Sequence, residues 1–310
     1  MILRYDRMLF LAKCLKRVPP LAGPARTYND WRHGLVMREL EPLLASAASG
    51  LPAAGETAGD EPGTVWVFWW QGEDKAPTLV RSCIDSIRRN SGGHTVRVVC
   101  RDNLSDYVDL PDAIRDKVGT GAISLTHLSD IVRFALLARY GGVWMDATLF
   151  VTAPLDVALP ERGVFTCGGY ADPTHFNVSL GRWTGFFQGS RAGGELVRFA
   201  DAFFARYWEE NDQLVDYFLI DYALSYAYDR DIGSFAASCS AARGRQPGLF
   251  DLQSLLGEPF DQQVWERLSH DTSVFKLSYK RVPERICGTF AERVLEGDLG
   301  RQVPAVSDIG

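Results

Sequence analysis

Long uninterrupted hydrophobic runs, clustered cysteines and blocks of basic residues are all missing from this chain of 310 residues. No stretch of about 20 consecutive apolar residues occurs, which argues against a spanning helix. The first residues, Met1-Ile2-Leu3-Arg4-Tyr5-Asp6-Arg7, interleave charge with apolar side chains and so offer no secretory hydrophobic region. The six cysteines, Cys14, Cys83, Cys100, Cys167, Cys239 and Cys287, stand singly, without zinc-site spacing or disulfide-scaffold density, and fit a reducing compartment. The net charge of -6, with no long Lys/Arg tract, excludes a general nucleic-acid footprint. Neither a Gly-x-Ser-x-Gly elbow nor a Gly-x-x-x-x-Gly-Lys loop is present, which removes the usual α/β-hydrolase and P-loop readings. His33, His94, His127, His175 and His270 show no ligand spacing and are expected to be structural or exposed. These absences together predict a cytoplasmic protein.

What is present is ordinary globular composition, 46% hydrophobic and 23% charged, enough for one catalytic domain and an accessory segment. Arg4, Arg7, Lys13, Lys16 and Arg17 face only Asp6 in the first twenty residues, interleaved with Leu3, Met8, Leu9, Phe10, Leu11 and Leu15. That pattern predicts a basic amphipathic helix, read either as docking on an anionic membrane surface or as packing on the catalytic domain with a solvated basic face. Ala45 to Gly63 is rich in Ala, Gly, Pro and Ser and reads as a linker. The expected division is therefore an arm and linker over 1–62 and a catalytic domain over 63–310.

Thr64–Trp70 is β-branched and aromatic between glycines, a buried strand; the apolar spacing after Pro77 predicts a helix to about Asn90, and Thr95–Cys100 a second strand. Strand, helix, strand at this spacing predicts a βαβ unit in a parallel sheet. His127–Tyr140 reads as a helix stopped by Gly141-Gly142, followed by a strand over Val143–Phe150. Further strands are expected at Gly163–Tyr170 and Trp183–Gln188, and long helices at Gly194–Glu210 and Gln213–Asp229.

Asp130 and Arg133 lie three apart and so share one helix face, and the double glycine joins that helix to a strand ending near Asp146. In open α/β sheets ligands bind beyond the carboxyl ends of strands, so two acids and a cation are expected to converge on one crevice. Taken alone, each has a bland reading as a surface ion pair or a loop acid. The later segment offers Asp216, Tyr217, Asp221 and Tyr222. Carboxylates suit hydroxyls and aromatics suit ring faces, so Asp216 and Tyr217 are assigned to a hydroxyl-bearing acceptor, with helix packing or capping as the alternative for Asp216.

Five motifs in order carry a resemblance: Trp69-Trp70-Gln71-Gly72, the Ser129-Asp130-Ile131-Val132-Arg133 helix, Gly141-Gly142-Val143-Trp144-Met145-Asp146-Ala147-Thr148, Asp216-Tyr217-Phe218, and Lys276-Leu277-Ser278-Tyr279-Lys280. Together they resemble the capsular polysaccharide synthesis protein family, related to DXD-containing glycosyltransferases and more distantly to the glucosylating clostridial toxins. The resemblance implies an α/β GT-A-like nucleotide-diphospho-sugar transferase fold, a mostly parallel sheet flanked by helices, preceded by a helical arm. It implies transfer of a sugar from a nucleotide-diphosphate donor, UDP-linked, to a glycan or lipid-linked glycan hydroxyl in capsular or surface polysaccharide synthesis. Retention of configuration is part of the same implication, as is a place at the inner membrane face.

On the same resemblance Trp69 stacks on the nucleotide base, with Trp70 as the one-residue alternative and a plain core role as the bland one. Asp130 and Arg133 hold ribose and sugar hydroxyls. Asp146 matches the first DXD acid, and Thr148 stands where a second acid would help bind a divalent cation, Mn²⁺ or Mg²⁺. Threonine is a weaker anchor than a carboxylate, which puts metal dependence in doubt. Ser278 and Lys280 are assigned to the donor, and Lys276 to stabilising the leaving diphosphate, assisting or partly replacing the metal; for both lysines a solvated strand end is the alternative. A non-catalytic nucleotide-sugar or glycan binding subunit remains the rival reading.

Overall fold

Two helices fill most of residues 6–49 because helix formers there repeat an apolar face. In the computed structural model, which describes residues 4–51 and 63–299, helix α1 covers Asp6–Lys16 and α2 covers Ala22–Ser49. The buried positions of α2, Ala25, Asn29, Arg32, Val36, Leu40, Leu44 and Ala47, recur every three or four residues and form one stripe. The stretch from Ala45 expected as linker is therefore helical as far as Ser49: alanines at 45, 47 and 48 favour continuation more strongly than small size favours a loop. The rest of that expected linker, 52–62, lies outside the described residues.

The chain continues through β1 (Thr64–Phe68), α3 (Thr78–Arg89), β2 (Thr95–Val99), α4 (Asp112–Gly119), α5 (Leu125–Tyr140), β3 (Gly142–Met145), β4 (Leu149–Val151), β5 (Phe165–Thr166), β6 (Phe187–Ser190) and α6 (Glu195–Glu210). After these come α7 (Leu219–Asp229), α8 (Phe235–Ala241), α9 (Leu252–Leu255), α10 (Gln262–Ser269), β7 (Val274–Lys276) and α11 (Phe290–Glu296). The five-stranded sheet runs in the order β2-β1-β3-β6-β5 and is mostly parallel; β1 pairs parallel with β3 in the register Val65↔Val143 and Trp66↔Trp144, and β5 pairs antiparallel with β6. The α/β class expected from the sequence is thus the observed one. The single strand expected over Val143–Phe150 is two: β3 ends at Met145, and β4 belongs to a separate two-stranded antiparallel sheet with β7. A turn closed by Leu149 N–H donating to the Asp146 carbonyl at 2.9 Å breaks it.

Contacts divide the chain into two units, the first made of Met1–Trp66, Asp102–Trp144 and Val157–Gly244, the second of Val67–Arg101, Met145–Asp156 and Arg245–Gly310. The described part of the expected arm belongs to the first unit, where α2 packs on α1, α6 and α7. That unit is aromatic in its interior. Phe134 of α5 meets Phe204 of α6 with ring centroids 5.9 Å apart, and the indole Nε1–H of Trp208 donates to His127 Nε2 at 3.0 Å.

The second unit has its own core, in which Leu79 and Cys83 of α3, Phe150 of β4, Phe275 of β7 and Phe290 of α11 are buried together. Burial pushes the Cys83 thiol up to about 12, which makes it an inert apolar filler. Ser86 stitches α3 to β4 by accepting from Val151 N–H at 2.9 Å while donating to the Cys83 carbonyl at 2.6 Å.

Candidate functional site

The turn after β3 and the strand β7 build the densest group of expected site residues, all within the second unit. The β4–β7 register pairs Leu149 with Lys276, and Leu277 N–H donates to the Thr148 carbonyl at 2.9 Å, so Lys276 is delivered beside the turn that carries Asp146 and Thr148. Its ammonium donates to Asp146 Oδ2 at 2.6 Å and to Thr148 Oγ1 at 2.8 Å. Lys276 and Asp146 retain 22% and 27% side-chain exposure, so the group remains open to a ligand.

The aromatic expected to carry a base lies in the same unit. Trp69, half-buried just past β1, meets Tyr279 edge-on at 5.5 Å between centroids, and the Lys280 ammonium lies 5.7 Å from the Tyr279 ring centre. The Trp69 Nε1–H is buried without a hydrogen-bond partner among the described residues, at the ring edge rather than on the face that a base would stack on. Trp70 instead pairs with Phe68, ring centroids 6.3 Å apart. The Ser278 N–H is held by Gln253 Oε1 at 2.6 Å.

A divalent cation would have to displace a resident ammonium here. Mg²⁺ and Mn²⁺ collect about six oxygens, usually from one or two carboxylates, waters and substrate phosphates. The two groups that the resemblance assigns to the metal, Asp146 and Thr148, both converge on a resident ammonium. Among the described residues no group of three or more His, Cys, Asp or Glu is placed to hold a metal ion.

Asp130 and Arg133 belong to the first unit. Ser124 caps α5 by accepting from His127 N–H at 3.2 Å, fixing the register that puts His127, Asp130 and Arg133 on one face. Arg133 Nη2 pairs with Asp130 Oδ1 at 3.1 Å, and its guanidinium lies 5.1 Å from the Trp144 ring centre. Because the Trp208 indole can only donate, His127 Nε2 must accept; in the neutral ring the proton then sits on Nδ1, which faces Asp130 Oδ2 at 3.7 Å. The double glycine is required where α5 turns into β3. Gly141 and Gly142 have φ of +67° and +94°, and a Cβ on Gly141 would lie 2.5 Å from the Ala192 nitrogen.

Asp221 joins this group although the sequence pointed only toward an acceptor role. It accepts from the Trp183 indole N–H at 2.8 Å. Burial pushes its carboxyl up to about 6; the Trp183 hydrogen bond pulls it back, the Asp130 charge adds to the rise, and Arg133 and Arg182 lower it. Gly185 keeps the neighbouring space open, since a Cβ there would stand 3.1 Å from Arg133 Nη1 and 3.3 Å from Ile220 Cδ1.

The acceptor assignment of Asp216 is corrected. It precedes α7 rather than lying on it, is fully buried, accepts from Arg32 Nη1 at 2.8 Å on one oxygen and takes Phe218 N–H at 2.9 Å on the other. Burial raises its pKa while Arg32 and the Phe218 N–H pull it back. Tyr222 is buried too, its hydroxyl 2.8 Å from His33 Nδ1, whereas Tyr217 is 50% exposed.

A family model described as capsular polysaccharide synthesis protein matches residues 27–293. Among curated proteins, "Glycosyltransferase afumC" of Aspergillus fumigatus is 29% identical over 158 residues, 47% of this chain and 40% of that protein. "O-glycosyltransferase braB" of Annulohypoxylon truncatum is 35% identical over 96 residues, 28% of this chain and 23% of that protein; "O-glycosyltransferase PaGT" of Phomopsis amygdali is 32% identical over 98 residues, 28% and 24%. The chain thus spans well under half the length of these curated relatives. The solved structure "PaToxG Glycosyltransferase" aligns over 81% of this chain and 95% of its own, at 13% identity and a TM-score of 0.38.

Proposed function

The chain belongs to the capsular polysaccharide synthesis protein family, and from that premise we propose that it is a glycosyltransferase that moves a sugar from a nucleotide diphosphate, UDP-linked, to a hydroxyl of a glycan or lipid-linked glycan. The names of its fungal relatives agree with sugar transfer, two of them specifying transfer to oxygen. The observation that carries the reading is the Lys276 ammonium held between Asp146 and Thr148.

In this reading the bond between the anomeric carbon and the diphosphate oxygen breaks, its electron pair goes to that oxygen, and the acceptor oxygen bonds the anomeric carbon while its proton leaves to solvent. Negative charge grows on the diphosphate, and a cation fixed in advance there stabilises the transition state without reorganising. Lys276 is that cation, doing the work usually given to a divalent metal. Trp69 stacks on the base, Lys280 and Ser278 take phosphate oxygens, and the family resemblance assigns Asp130 and Arg133 to hydroxyls of the donor. No side chain stands out as a covalent nucleophile, and the expected outcome is retention of configuration.

A role on surface polysaccharide at an anionic membrane agrees with α1, which exposes Phe10 and Leu11 beside Lys13 and Lys16. Among the described residues no helix is long and apolar enough to cross a membrane.

The test is a thermal-shift and donor-hydrolysis panel of UDP-, GDP- and dTDP-sugars, with Mn²⁺ or EDTA, on wild type and Asp146→Asn. One nucleotide sugar should stabilise the wild type and be hydrolysed slowly, with hydrolysis lost in the variant. Binding without any turnover would instead favour the non-catalytic subunit, and no shift with any donor would remove the donor site altogether.

A further inference from the structure

A cavity of about 390 Å³ in the first unit takes no part in the reaction proposed above. Arg182 and Arg243 line it together with Tyr170, Tyr228 and Ser240, and no Asp or Glu is among its described lining residues. Its volume falls in the range of small-ligand sites. Two guanidiniums without a carboxylate between them stand out in a chain whose net charge is -6.

Backbone hydrogen bonds between three segments make the wall. Gly169 N–H donates to the Gly181 carbonyl at 2.8 Å, Gly168 N–H to Ala242 at 3.2 Å and Gly244 N–H to Gly168 at 3.3 Å. The approach is so close that a Cβ on Gly181, whose φ is +71°, would lie 1.8 Å from the Tyr170 carbonyl oxygen.

Arg182 is fixed before any ligand arrives. Its guanidinium lies 4.2 Å from the Tyr228 ring centre and 4.7 Å from that of Trp183, and its Nε–H donates to the Ser179 carbonyl at 2.9 Å. Stacking and carbonyl capping account for where Arg182 sits; the one acid whose charge couples to it, Asp221, makes no ion pair with it among the described residues and is not in the cavity lining. Neither Arg182 nor Arg243 forms an ion pair among the described residues, and the Arg182 charge acts on Cys239 in the cavity wall, lowering a thiol that burial otherwise pushes up. Arg243 is exposed, and packing does not explain its presence.

We propose that this cavity binds an oxyanion-bearing sugar, a saccharide unit substituted with carboxylate or phosphate. Arg243 supplies a planar fork for the oxyanion, Arg182, whose Nε–H and Nη2–H are held by the Ser179 and Val178 carbonyls, supplies the adjoining charge, and Tyr170 supplies an amphipathic surface for the sugar ring. The family premise narrows the anion to a saccharide; binding here needs neither donor nor turnover, so it stands or falls separately from the donor-site reading.

The experiment is calorimetric titration of the full chain with methyl glucuronide, glucose 1-phosphate, methyl glucoside and inorganic phosphate, on wild type, Arg243→Gln and Asp146→Asn. At least one acidic sugar should bind about tenfold or more tighter than the neutral glucoside and than inorganic phosphate, as expected for one charge-assisted contact. Arg243→Gln should remove that margin and Asp146→Asn should leave it intact, with Arg243→Lys recovering part of it. Binding by the glucuronide alone, the phosphate ester alone or both identifies the source of the oxyanion, and each supports the site. Equal binding of the neutral glucoside, of inorganic phosphate, or of acidic sugar by Arg243→Gln overturns it, as does no binding of either acidic sugar. Arg243 is exposed, so an unchanged melting temperature is expected for its variants.

Discussion

Two carboxylate–cation pairs of nearly the same length sit in opposite surroundings in this molecule. Asp216 and Arg32, 2.8 Å apart, are both 0% exposed; Asp146 and Lys276, 2.6 Å apart, keep 27% and 22% of their side chains open. The first pair joins α2 to the segment before α7 and has both oxygens of its acid committed inside the protein. The second shares its ammonium with a threonine hydroxyl, leaving charge where a ligand can meet it. Distance alone does not separate a structural ion pair from a working one. Access does, and a single sequence carries access only through the periodicity around each residue.

The comparison is broken most directly by removing one partner from each pair. Asp216→Ala strands a buried guanidinium and is expected to cost about 3–5 kcal/mol of folding stability, measured by denaturant titration, while the fraction that stays folded keeps its turnover. Lys276→Ala should fold normally and lose about 10²–10³-fold in donor turnover. EDTA should leave wild-type turnover unchanged. If EDTA abolishes activity and Lys276→Ala does not, the ammonium is a surface ornament and a metal does its work.

A smaller effect sharpens the account of the donor side. Trp69→Ala removes a stacking platform, so nucleotide affinity should fall by about 1–3 kcal/mol in calorimetry, with Trp70→Ala much weaker. Equal losses for both would mean that the base does not distinguish the two indoles.

The chain announced its local features better than its breaks. The helix carrying Asp130 and Arg133 and its double-glycine stop were legible because spacing and a φ requirement are local properties. The interruption of β3 and β4 was not, because Val143–Phe150 is apolar throughout and the turn at Asp146 is fixed by pairing with β7, far along the chain. Lys276 beside Asp146 was suggested by motif order, but the contact depends on the Leu149↔Lys276 register, which local pattern does not encode. Asp216 was misassigned for a related reason: its partner, Arg32, lies in a helix that the sequence presented as part of an accessory arm.

Asp221 gives the finest test, because its burial and its proposed neighbourhood predict effects of opposite sign. Its carboxyl, facing Asp130, Arg133, Arg182 and the Trp183 indole, is raised to about 6 from an ordinary 3.8. A raised acid binds its proton more tightly in the folded than in the unfolded state, so its stabilising contribution is full below about 3.8 and is lost as pH rises through about 6. At pH 7 the ionised group is therefore a burden on folding, and Asp221→Asn, which keeps an oxygen for Trp183, should melt higher than wild type there and alike at pH 3.5. Activity should move the other way. If Asp221 accepts from a substrate hydroxyl alongside Asp130, the variant loses about tenfold in kcat/KM at neutral pH, and the wild-type rise in rate through pH 6 flattens in it. A variant that is more stable but equally active would make Asp221 a buried acid with no part in the site.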